Sequence, residues 1–179
     1  ETMMRHIRLG VFIAGVACFS MVASAEALDA AGVRNKLLLQ AEPAGALSPT
    51  AAKQALMKGP ANKPQSIVLA GRLGARGMEP FLENKASFVL MEIPADDHAK
   101  QPGHDADNCP FCKKRMASTP MVAVQFVGGD GQVIPIDSRE LFDISKGSDV
   151  VVKGVAVFNP KLALPIVQFT AESIFVRGQ

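Results

Sequence analysis

A chain of 179 residues suits one domain with extensions. Its formal charge is +2, and two of its 19 basic and one of its 17 acidic residues lie in the first 25, so the remainder carries +1. That lacks the basic excess of a phosphate-backbone binder, and the absence of Trp and Tyr removes the best stacking platforms for bases and sugars. Nucleic acid is therefore not the expected partner.

The chain opens like an export signal. Arg5 and Arg8 form a charged region, "LGVFIAGVACF" an apolar core, and Ala23-Ser24-Ala25 a small-residue cleavage site before Glu26. The apolar run is shorter than a membrane span, which needs about 20 residues. Cys18 raises a lipoprotein alternative, but Gly15 stands where a larger aliphatic is usual, and simple cleavage is preferred. The expectation is a periplasmic or secreted protein in an oxidising compartment.

Residues 26–65 read as an Ala/Pro-rich arm that either packs on the following domain or stays loose. Within it Ser48 and Pro49 start a short helix, "AAKQALM" carries it, and Gly59-Pro60 stop it. From Ser66 the pattern turns to short β-branched runs, predicting strands at 66–73, 86–93 and 121–127. "GGDG" at 128–131 then reads as a hairpin turn into a strand at 132–136. A short helix at 138–144 is capped by Ser138 or Asp137, and strands at 147–158, 162–170 and 172–177 complete the set. Pro135 and Pro165 belong at strand edges or bulges, because they cannot donate to a ladder. Strands around one central helix predict an all-β fold with minor helix, a small barrel.

In this order "IVLAGRL", "ASFVLMEI", a helix, "SDVVVKGVAVF" and "LALPIVQFTAESIFVR" resemble the OB-fold of the tRNA-anticodon-binding type. The resemblance covers about residues 66–177. It implies an OB-fold-like five-stranded β-barrel and is nearly silent on function, since such barrels host many ligands. With its export signal and its "EPAG" and "GRLG" lead-in, the chain resembles exported bacterial OB proteins more than cytosolic nucleic-acid binders. It departs from the simple pattern in a long excursion between the second and third strands, residues 94–120.

That excursion holds the chain's chemistry. His98, His104, Cys109 and Cys112 are spaced H-x5-H-x4-C-x2-C. Two cysteines separated by two residues can turn both sulfurs towards one cation across a tight knuckle, and two imidazoles complete a tetrahedron. The segment has little apolar content, so a metal could supply the order that packing cannot. Zinc is the expected ion, with copper(I) as its competitor. Asp105 and Asp107 could orient an imidazole or replace one.

Three other readings compete. "CPFCKK" resembles the active-site motif of glutaredoxins and thioredoxin-like proteins, which implies Cys109 as nucleophile and Cys112 as resolving thiol. Lys113, Lys114 and Arg115 would favour a thiolate there, yet the flanks lack that family's α/β setting. A disulfide is the plainest reading, but it would close a very small loop, gain little chain entropy and leave the histidines unexplained. Covalent haem needs a histidine after the second cysteine, where Lys113 stands.

Elsewhere the signals are weaker. "GRLGARG" (71–77) lacks the strand–turn–helix setting of a phosphate loop, although Arg72 and Arg76 could point to an open barrel face. Asp137, Glu140 and Asp143 fit a helix N-terminus better than a catalytic pair. Four protein ligands leave a metal no open position for catalysis, so the expectation is a binding module for a protein or small molecule rather than an enzyme.

Overall fold

The structure is a computed structural model that describes residues 29–60, 62–94, 104, 109–161 and 166–179. The export segment, Cys18, His98, Asp105, Asp107 and Pro165 lie outside the described residues. The elements are α1 (Ala30–Leu37), α2 (Pro49–Lys58), β1 (Gln65–Leu73), β2 (Ser87–Met91), α3 (Pro110–Met116), β3 (Val122–Phe126), α4 (Ser138–Phe142), β4 (Asp149–Phe158) and β5 (Val167–Val176). The fold is mostly β, with minor helices.

The five strands form one closed barrel in the order β1-β2-β3-β5-β4, with β4 returning to β1. Neighbours are antiparallel except β3 and β5, which are parallel. Alternation sets the inside. Leu69 and Leu73 of β1, Phe88 and Leu90 of β2, and Val122, Val124 and Phe126 of β3 are all buried. So are Val150, Val152, Ala156 and Phe158 of β4.

On β5 the inward parity changes. Val167, Phe169 and Ala171 are buried, and then Ile174 and Val176. The register explains it: Lys153 faces Ser173 while Gly154 faces Ala171, so one extra residue on β5 makes a bulge. This corrects the expectation of two strands at 162–170 and 172–177, because one strand, Val167–Val176, crosses the junction between them. Ala171 looked like a break because the inward phase slips beside it.

One further expectation is corrected, and the choice between two caps for α4 is settled. Residues 132–136 form no strand; the turn brings Val133 against Val127 in an isolated bridge, and Ile134 N–H donates to the Phe126 carbonyl. Pro135, which has no N–H, cannot extend that pairing. The cap of α4 is Asp137, whose carboxylate accepts from Arg139 N–H, and Ser138 is instead fully buried, donating to the carbonyls of Lys85 and Ser87. Asp143 stands at the other end of α4, as its left-handed C-cap with φ of 54°.

The arm packs on the barrel. Asp29 caps α1, which lies against α4 and β5, and Arg34 donates to the Leu141 carbonyl. No helix at 30–37 was expected. Ser48 caps α2 through Ala51 N–H, Pro49 opens it and Gly59 ends it, as the sequence signals require. Its Ala52 and Leu56 join the core against β1 and β4. From the other side α4 inserts Leu141 and Phe142, with the Phe142 ring 4.8 Å from that of Phe126.

Candidate metal centre

The excursion between β2 and β3 is built on a hairpin. Leu90 faces Val122 across the two strands, so the chain leaves and re-enters the barrel at neighbouring points. Both edges of the excursion are fastened. Glu92, just past β2, accepts from the Thr50 N–H at 3.0 Å and its hydroxyl at 2.8 Å, which ties it to the start of α2. Arg76, in the β1–β2 connection, donates to the Thr119 carbonyl just before β3.

The Cys-x-x-Cys segment is a helix start, where a knuckle was expected. Pro110 occupies the first position of α3, where its fixed φ suits the helix and its missing N–H costs no bond. Cys109 is the N-cap residue, and its sulfur does not cap the backbone. Its carbonyl instead accepts from Lys113 N–H at 2.9 Å, closing the first turn. Cys112 follows on that turn and is 3 % exposed.

His104 completes the cluster. Its Nε2 lies 3.3 Å from Cys112 Sγ. One ligand atom from each of His104, Cys109 and Cys112 lies within 4.8 Å of the others. Metal–ligand lengths of about 2.0–2.3 Å imply donor separations of about 3.5–3.8 Å around a tetrahedral zinc ion. The cluster is thus within about an ångström of a coordination sphere. The two thiols are not joined in a disulfide. Two soft sulfurs and one imidazole, one of the sulfurs shielded from water, could hold a metal ion.

The structure therefore brings together three of the four ligands expected from the sequence, and His98 lies outside the described residues. The two arginines expected at an open face are each engaged within the chain, Arg76 with the Thr119 carbonyl and Arg72 with Asp149. Arg72 is held by both carboxylate oxygens of Asp149, at 2.7 and 3.0 Å, and that hydrogen bond raises its pKa above the ordinary guanidinium value. Sequence reasoning missed the helix under the cysteines. The signal was present in Pro110, directly after a residue that could stand at the N-cap.

No family model matches the chain, and a search of curated proteins finds no match. Among solved structures the chain is similar to a crystal structure described as an aspartyl-tRNA synthetase from Leishmania major Friedlin, with 12 % identity and a TM-score of 0.39. The match covers 82 % of this chain and 25 % of that one, so the chain spans a quarter of its length. No helix among the described residues is long and apolar enough to cross a membrane.

Proposed function

We propose that the chain is an exported binding or interaction module of the OB kind, with a structural metal ion in its β2–β3 insertion. The observation that carries the metal is the convergence of His104, Cys109 and Cys112. Zinc is the proposed ion, with His98 as fourth ligand and copper(I) as the chemical competitor. The OB reading is supported by the strand order, the parallel β3–β5 pair and the placing of α4 between β3 and β4. Export is supported by the charged, apolar and small-residue succession of residues 1–25. The ligand of the module is a protein or small molecule.

Protein purified without chelator should carry about one zinc or copper per chain. Cys109→Ser and Cys112→Ser should lose metal equally, and His104→Ala less, because a carboxylate or water can replace an imidazole. One observation favours a second reading, a dithiol catalyst: Cys109 stands at the start of a helix with Cys112 one turn on. That reading predicts asymmetry, with mixed disulfides trapped on Cys109 in Cys112→Ser. Trapped adducts, with no metal in the unaltered protein, would replace the first reading by the second.

A further inference from the structure

Cys109 and Cys112 stand one helical turn apart at the start of α3. That spacing sets their Cα atoms about 5 Å apart, inside the range of about 4.4–6.8 Å that a disulfide spans. Their sulfurs lie within 4.8 Å of one another and are not bonded. The same two sulfurs are two of the three donors that converge with His104. One pair of atoms thus serves two exclusive states, because a thiolate ligates a metal and a disulfide sulfur does not. The two thiols also differ in access. Cys109 is half-buried, whereas Cys112 is 3 % exposed.

We propose that Cys109 is a site of oxidative modification by small-molecule disulfides, through which the metal is released. The inference rests on the metal reading above and adds the reaction that empties the site. In the first step the Cys109 sulfur attacks one sulfur of the incoming disulfide. A mixed disulfide forms, and the other half of the reagent leaves as a thiolate. In the second step the Cys112 sulfur attacks Cys109 and expels the remaining half as a second thiolate. The protein loses two electrons and the reagent gains them. The two cysteines gave their protons to water on binding metal, and the two leaving thiolates take two protons back. The metal ion departs with its charge unchanged. Access sets the order, since Cys112 is shielded and Cys109 is the more open of the pair. The disulfide closes a loop so small that it gains little chain entropy, so excess thiol reverses it. Among the described residues the core cluster contains neither cysteine, so the barrel stays folded in both states.

The test treats reduced, zinc-loaded protein with oxidised glutathione. A chromophoric chelator reads the released zinc, and intact mass with a thiol count reads the disulfide. One zinc should leave for each intramolecular disulfide, and dithiothreitol with added zinc should restore the starting state. Metal-free protein should oxidise at least about tenfold faster, because a bound metal occupies the attacking sulfur. Cys112→Ser should stop at the mixed disulfide on Cys109. Cys109→Ser should form an adduct at least about tenfold more slowly than Cys112→Ser, which two equivalent thiols would not show. Far-UV circular dichroism checks that both variants are folded. Zinc that leaves without a disulfide, bound zinc on thiols that resist oxidised glutathione, or equal adduct rates in the two variants would overturn the proposal. Reduced protein that takes up no zinc would overturn the metal reading and the proposal with it, and that result is seen before any oxidant is added.

Discussion

At Gly154 an added Cβ would collide with the Thr170 carbonyl oxygen and lie 2.8 Å from the Ala171 Cα. Both contacts are backbone, so neither can swing away. The residue faces the β5 bulge, where the strands come closest as the barrel turns. Gly154→Ala should therefore cost about 1–3 kcal/mol, read from denaturant unfolding. An unchanged midpoint would show that the bulge relaxes freely. Asp137 tests a different force. The Arg139 guanidinium hydrogen-bonds its carboxylate and holds it below the usual carboxylate range, against the opposing effect of burial. A depressed folded value means that this stabilisation is present above the ordinary carboxylate pKa of about 3.9 and is lost as pH falls through the folded value. Asp137→Asn keeps a helix cap but not the charge. Its deficit against the unaltered protein should be visible at neutral pH and shrink towards the acid end. A deficit independent of pH would remove the charge from the explanation.

At the scale of elements, α2 is the arm's anchor. Leu56 is 4 % exposed and belongs to the same core as Leu69 and Phe158. Leu56→Ala should cost about 2–5 kcal/mol, which would show that the arm is part of the cooperative unit. A loss under about 0.5 kcal/mol would mean that the arm detaches without consequence for the barrel. The legibility of the elements follows from how each one buries its residues. β1 to β4 show in the sequence because each is a short run rich in β-branched and aromatic residues bounded by turn residues. α2 shows because Ser48, Pro49 and Gly59 punctuate it. α1 does not, since "AAGVRNKL" has no strong apolar stripe and contains Gly32; only Asp29 marked its start. The cysteine and histidine spacing pointed to the cluster of His104, Cys109 and Cys112, but not to the helix beneath it. A seven-residue α3 is too short for periodicity to speak.

Seen as a whole, the molecule divides its labour between barrel and insertion. Among the described residues, the core cluster runs from Ala52 to Val176 and contains neither Cys112 nor any other residue between Leu90 and Val122. Leu90 faces Val122, so the ends of β2 and β3 are close enough for a hairpin loop of about 2–5 residues to join them. Replacing residues 94–120 by a short Gly/Ser loop should therefore leave the barrel folded. Glu92 stays, and with it the tie to Thr50; the Arg76 bond to the Thr119 carbonyl is lost. That bond is part-buried, and its loss should cost about 1 kcal/mol, partly offset by the lower closure entropy of the shorter loop. Far-UV circular dichroism should keep its β signature and unfolding should stay cooperative, while metal binding disappears. Loss of cooperative unfolding in the shortened chain would show that the insertion folds with the barrel rather than upon it. The metal would then have to count as a support of the whole domain.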